Sequence, residues 1–186
     1  MARTESTMQP LGSAAPDFSL LDVVSGATVT RDGVKGAGGL LVMFLCVHCP
    51  FVKHLEQGIA HFAGDYAGKG LGIAGISSND AVAFPADGPE GMRAQARKLG
   101  FTFPYLYDQS QQVARAYQAS CTPDFFLYDR ALRLVYRGQF DASRPSLSLP
   151  VTGVDLRRAI DTLLAGKPPL AQQLPSLGCN IKWKAA

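Results

Sequence analysis

The stretch that most constrains this chain is Leu40-Leu41-Val42-Met43-Phe44-Leu45-Cys46-Val47-His48-Cys49-Pro50-Phe51-Val52-Lys53-His54. It begins as a charge-free apolar run, the pattern of a strand buried on both faces. It then passes through two cysteines three residues apart into helical spacing, with Phe51, Leu55, Ile59, Phe62 and Tyr66 on one stripe. Pro50 has no amide hydrogen and fits the first turn of a helix, where that donor would lack a partner. The two sulfurs therefore sit where a buried strand turns into a helix. The positive end of a helix stabilises an anion, and a thiolate is one. This placement points to thiol–disulfide chemistry.

Composition narrows the classes. The 186 residues are 47% hydrophobic and 18% charged, enough for one domain with a substantial core. A net charge of +3, with the basic residues scattered apart from Lys182-Trp183-Lys184, argues against nucleic acid as a partner. No apolar run reaches the roughly 20 residues that span a bilayer. Met1-Ala2-Arg3-Thr4-Glu5-Ser6 leads into no apolar segment, so no secretory signal is expected and the expected compartment is the cytoplasm. In a reducing compartment, 4 cysteines with two in close spacing read as catalytic or metal-binding and not as structural bridges.

Along the chain, positions 1–15 are polar and read as a mobile arm. Residues 15–22 and Ala27-Thr28-Val29-Thr30 flank Ser25-Gly26 and predict a hairpin. The helix after the cysteines stops near Gly68-Lys69-Gly70, and residues 71–76 form a second apolar strand. Strand, helix and strand of this kind make a right-handed parallel crossover. Residues 81–90 read as a loop, 91–99 as a helix closed by Gly100, 101–107 as an extended aromatic segment, and 111–117 as a short helix. Strands at 124–129 and 132–137 form a second hairpin, a polar loop spans 138–153, and the last helix covers 154–164. Residues 167–186 form a proline-bearing tail.

In the dithiol, Cys46 is expected to be exposed at the helix tip and Cys49 covered one turn in. An exposed low-pKa thiolate attacks a disulfide and the covered thiol resolves it. His48, when protonated, adds positive charge near the sulfur. Half of a zinc site is the competing reading, but no second closely spaced cysteine pair completes it, so no metal is assigned. Ser120-Cys121-Thr122-Pro123 precedes a strand, and its proline is a candidate for the cis form in a tight turn.

A strand leading to Cys46-Val47-His48-Cys49-Pro50, a crossover, then Thr122-Pro123 before a hairpin and a final helix resembles the thioredoxin superfamily. Ala15-Pro16-Asp17-Phe18 resembles its peroxiredoxin branch. Cys49-Pro50-Phe51-Val52-Lys53-His54, Cys121-Thr122-Pro123-Asp124-Phe125-Phe126 and Gly178-Cys179-Asn180-Ile181-Lys182-Trp183-Lys184 are similar to segments of the peroxiredoxin-like (AhpC/TSA-related) thioredoxin-fold proteins of bacteria. The resemblance implies a single domain over residues 1–186 with an α/β thioredoxin-like fold. Its central mixed β-sheet would be flanked by helices and carry an N-terminal β-hairpin extension. It implies Cys46 as the attacking thiol, Cys49 as the resolving one, and Thr122 with Pro123 as substrate-positioning residues. In peroxiredoxins the peroxide-reducing cysteine aligns with Cys49, and a threonine stands at the position of Cys46. The chain departs from both parents: it lacks thioredoxin's buried acid on the central strand, and only Arg137 or Arg144 could replace the peroxiredoxin arginine.

The expected activity is thiol–disulfide exchange on protein or low-molecular-weight disulfides. It needs no organic cofactor and draws on a dithiol reductant such as thioredoxin, or on glutathione. Cys121 and Cys179 are candidate accessory redox thiols; Cys121 reads equally as a small buried hydrophobe, and Cys179 could swing on the tail, pair with Cys121, or sit docked and inert beside Trp183. Two alternatives stand beside this: a peroxidase using Cys49, and a copper(I) carrier using Cys46, Cys49 and a histidine or Cys121. His54 and Lys53 are candidates to hold an anion nearby, while Tyr105, Tyr107, Phe125 and Phe126 read as core.

Overall fold

The charge-free run is the central strand of the molecule. The computed structural model describes residues 3–185, and in it every residue of β4 (Gly39–Phe44) is buried. Strands named in chain order are β1 (Arg3–Glu5), β2 (Ser19–Asp22), β3 (Thr28–Thr30), β4, β5 (Leu71–Ser77), β6 (Tyr105–Tyr107), β7 (Cys121–Thr122), β8 (Asp124–Tyr128), β9 (Leu134–Gly138) and β10 (Leu177–Asn180). The helices are α1 (Arg31–Val34), α2 (Pro50–Tyr66), α3 (Pro89–Leu99), α4 (Gln112–Ala116) and α5 (Val154–Leu164), with a 3-10 turn at Pro85–Asp87.

Seven strands form one mixed sheet in the order β3-β2-β6-β5-β4-β8-β9. β4, β5 and β6 are parallel neighbours, because α2 and α3 return the chain across the sheet between them. β8 and β9 add antiparallel to the other side of β4. The expected N-terminal hairpin is β2 with β3, which extends the sheet edge through β6. The expected mixed sheet flanked by helices is what the chain adopts.

Side chains alternate across the sheet into two cores. Leu41, Met43, Phe125 and Leu127 face α2, α3 and α5. Leu40, Val42, Phe44, Phe126 and Tyr128 face α4 and the segment around Ala15 and Phe18. The predicted stripe of α2 buries Leu55, Ile59, Phe62 and Tyr66, and Phe62 meets Phe140 edge-on at 5.6 Å. Phe51, expected on that stripe, is only half-buried at the helix start. Gly100 ends α3 at φ 64°, the left-handed turn that favours glycine.

Two expectations fail at the chain ends. Of the arm at 1–15, positions 1 and 2 lie outside the described residues, but the rest is pinned, not mobile. β1 pairs with β10, and the Ser6 amide donates to the Ser176 carbonyl at 2.9 Å. The tail is docked as well. β10 lies between β1 and β7 in a separate three-stranded antiparallel sheet. The arm reads as polar and irregular and the tail as proline-bearing because each finds its partner only across nearly the whole chain. The chain leaves this small sheet and enters the large one at Pro123, where the Thr122–Pro123 peptide is cis.

Candidate active site

The junction of β4 and α2 carries the two sulfurs where the small sheet passes over it. Cys49 is the N-cap of the 17-residue α2, with Pro50 at its first turn. Its amide-rich, positive end favours an anion there. Cys46 lies in the loop just before it. Both are fully buried, at 0% exposure each, and Cys179 of β10 at 3%.

Three thiols converge. The Cys49 Sγ lies 2.8 Å from the Cys179 Sγ and is hydrogen-bonded to Cys46. Cys49 is held well below the ordinary thiol range, down to about 5. The Cys46 thiol donates to it, against the opposing effect of burial, and the Cys179 thiol and the Val52 and Cys179 amides help. As a thiol, Cys49 also lies within donating distance of the Thr122 carbonyl, at 3.2 Å. Cys46 is pushed well up by donating to Cys49, by burial and by the nearby charge of Asp87. Cys179 is pushed up to about 12 by burial and by its bond to Cys49.

This overturns the expected asymmetry. Cys46 is neither exposed nor the readily ionised sulfur. The leading causes are the bond that the Cys46 thiol donates to Cys49 and its burial; a third is Asp87, at the end of the 3-10 turn within the stretch read only as a loop. It is fully buried. Its Oδ1 accepts the Val47 and His48 amides at 2.7 and 3.1 Å. Its Oδ2 takes His48 Nδ1 at 2.5 Å and Asn79 Nδ2 at 2.8 Å. The loop amides that could have stabilised a Cys46 thiolate are therefore spent on a carboxylate, and that carboxylate repels charge on Cys46. His48, expected to add positive charge beside the sulfur, is turned to Asp87 and stacks on Phe84 at 5.0 Å. An acid thus stands beside the dithiol after all, supplied by a different segment from the central strand.

Thr122 and Pro123 are where the sequence predicts them. The Cys46 Sγ and Thr122 Oγ1 are 3.2 Å apart. Cys121, one residue earlier on β7, points away: its buried Sγ contacts the Pro123 carbonyl at 3.6 Å, and burial pushes its thiol far up. Cys179, expected to reach the site by swinging, is already there. Arg144 is engaged by the Asp141 and Ser143 carbonyls and Gln139, and Arg137 by Gln173. Neither is bonded to a cysteine. His54 pairs with Ser143 at 3.1 Å, and Lys53 is exposed. Among the described residues, the grouping of metal-type side chains is Cys46, His48 and Asp87, with one ligand atom each inside 4.8 Å. The Asp87 oxygens of that group are already taken by four N–H donors.

Asp87 was missed because nothing within its own loop marks it. Its partners Val47 and His48 are about forty residues back, and only the Gly88-Pro89 helix start gives a local signal of an ordered turn.

Residues 11–137 match the model of the AhpC/TSA family. The crystal structure of an uncharacterized conserved protein from Geobacillus kaustophilus is 50% identical, covering 100% of this chain and 98% of that one, with a TM-score of 0.98. The thioredoxin domain of a thiol–disulfide oxidoreductase from Bacteroides vulgatus is 18% identical over 82% of this chain and 99% of its own, at a TM-score of 0.61. The peroxidoxin BcpB from Mycobacterium tuberculosis is 17% identical over 83% and 96%, at 0.62. No curated protein matches the chain in sequence. Among the described residues no helix is long and apolar enough to cross a membrane.

Proposed function

The chain belongs to the AhpC/TSA family, and on that premise we propose that it is a thiol–disulfide oxidoreductase whose nucleophile is Cys49. The observation that carries this is the convergence of donors on one sulfur: the Cys46 and Cys179 thiols and two amides all stabilise a Cys49 thiolate. In the reaction, that thiolate attacks a substrate disulfide. A bond forms between Cys49 and one substrate sulfur, and the other leaves as a thiolate. Cys46 then gives its proton to the leaving group and, as a thiolate, attacks Cys49, forming the Cys46–Cys49 disulfide and releasing the second substrate sulfur as a thiolate that takes its proton from solvent. A dithiol protein or glutathione returns the pair to its reduced form. Thr122 borders both sulfurs and positions the incoming chain.

A redox titration with mapping of the bonds formed tests the reading. A reversible Cys46–Cys49 disulfide, between about −270 and −120 mV, is the expected result. Reversible turnover that survives Cys49→Ser would refute it.

A second reading is favoured by the fact that the readily ionised sulfur is fully buried, which suits a small oxidant better than a large substrate. A Cys49 thiolate attacking hydrogen peroxide yields a sulfenic acid and hydroxide, and a Cys46 or Cys179 thiol then condenses with it to a disulfide and water. Against it, neither Arg137 nor Arg144 bonds a cysteine. Peroxide consumption by a protein that turns over no disulfide would select this reading.

A further inference from the structure

The Cys49 thiolate of a disulfide reductase must meet a substrate sulfur, yet Cys49 has no exposed surface. What fills the place of the substrate is the protein's own tail. β10 pairs antiparallel with β7, with Cys179 opposite Thr122 and Asn180 opposite Cys121. That register puts the Cys179 Sγ 2.8 Å from the Cys49 Sγ, where an attacked sulfur would have to lie. We propose that β10 is a resident occupant of the edge on which the substrate strand docks, and that the protein substrate is an extended segment with a glycine directly before its reacting cysteine. This rests on the thiol–disulfide reading above and adds to it the substrate class.

The glycine requirement comes from the close approach of the two strands. A Cβ on Gly178 would fall 2.1 Å from the Thr122 carbonyl oxygen and 2.5 Å from its carbon. Both are backbone atoms and cannot step aside, so any strand in this register needs glycine at that position. β10 also pairs with β1 on its other side, so the occupant leaves β7 together with β1; its anchors on the β7 side are largely backbone bonds, which another extended chain can reproduce. The Lys182 amide donates to Asn79 Oδ1 at 2.8 Å, the Asp80 amide to the Lys182 carbonyl at 2.8 Å, and the Ile181 amide to the Ser120 carbonyl at 3.1 Å. Asn79 in turn donates to Asp87, so the seat of the tail is continuous with the loop that holds the dithiol. Arg115 over the Trp183 ring, at 4.4 Å, closes the far end.

The test uses two peptides with the sequence of residues 174–184, one with glycine and one with alanine before the cysteine. Each cysteine is carried as a mixed disulfide with a chromogenic thiol. The glycine peptide is expected to turn over roughly tenfold faster on the wild-type protein, from the backbone pairing the alanine peptide forfeits. The full-length Gly178→Ala protein, whose own tail can no longer sit on β7, is expected to turn over the glycine peptide faster than wild type. Its Cys49 should also react faster with a bulky maleimide. Equal rates for the two peptides overturn the substrate assignment, and a folded Gly178→Ala protein with Cys49 as protected as in wild type overturns the occupancy. Should Gly178→Ala fail to fold, the peptide pair on wild type decides. If neither protein turns over the peptides or a low-molecular-weight disulfide, the oxidoreductase reading falls, and maleimide access to Cys49 still scores the tail separately.

Discussion

Replacing Asp87 by Asn should move reactivity from one cysteine toward the other. One carboxylate oxygen lies within 4.8 Å of the Cys46 sulfur. A unit charge at that separation, at an effective dielectric constant near 20, is worth about 3 kcal/mol. Removing it lets Cys46 ionise more readily and raises its thiolate fraction at neutral pH by about two decades. A less basic thiolate is also a poorer nucleophile, with a Brønsted slope of about 0.4–0.5, so close to half of that gain is lost. The net expectation is a rise of about tenfold in the alkylation of Cys46 relative to Cys49. Stability should fall at the same time. The asparagine oxygen can still accept the Val47 and His48 amides, but its NH2 group would face the Asn79 amide and His48 Nδ1, a donor against donors. That conflict costs about 1–3 kcal/mol. A short iodoacetamide pulse at pH 7 on the reduced protein, read site by site by mass spectrometry, measures the ratio, and a thermal melt confirms folding. An unchanged ratio in a folded Asp87→Asn protein refutes the idea that this carboxylate selects the nucleophile.

Other expectations follow from the same structure. Alkylation of Cys49 should track its thiolate, half-maximal near pH 5 and flat at neutrality, and should lose that profile in Cys46→Ala, which removes the leading donor; a half-point near that of an ordinary thiol in the wild type would contradict the site's electrostatics. Burial pushes the carboxyl of Asp124 well up, with only loose contact from the Ser120 and Phe125 amides and the Ser6 hydroxyl. The folded state therefore keeps a proton that the unfolded chain releases, and stability falls as pH rises above the ordinary carboxylate range. Asp124→Asn should stabilise at pH 7 by about 1–3 kcal/mol and flatten that slope in denaturant titrations at several pH values. Phe62→Ala, which empties the contact with Phe140 and Tyr66, should cost about 3–5 kcal/mol in the same assay. Trp183→Ala removes the stacking on Arg115, worth about 0.5–1 kcal/mol, and should speed hydrogen exchange at the Cys179 amide, with little effect on the global midpoint.

The sheet and the sulfur-bearing junction were legible because their signals are local. A charge-free run makes β4, Pro50 marks the start of α2, and the turn at Ser25-Gly26 marks a hairpin. The order of reactivity within the dithiol was not legible. Spacing places Cys46 outward at the helix tip, but its covering is built from Asp87, Thr122 and the tail, which lie far off in sequence. Leu177-Gly178-Cys179-Asn180 carries no strand alternation of its own, and becomes a strand only because β1 and β7 offer it two edges. Cys121 and Cys179 looked equivalent as spare thiols. Strand parity separates them, sending Cys121 away from the site and Cys179 into it.

The three-stranded sheet joins residue 3 to residue 179, and so brings the two ends of the described chain together over the reactive sulfur. Contacts that close so long a loop carry the largest ordering cost, so they are expected to form after the seven-stranded core. The core with its thiolate is thus assembled before the cover that shields it. Every incompletely folded copy of this protein, whether newly made, heat-stressed or clipped near its end, would present a bare reactive thiolate to whatever thiols and oxidants surround it. Fidelity of folding and control of reactivity are, in this molecule, one and the same event.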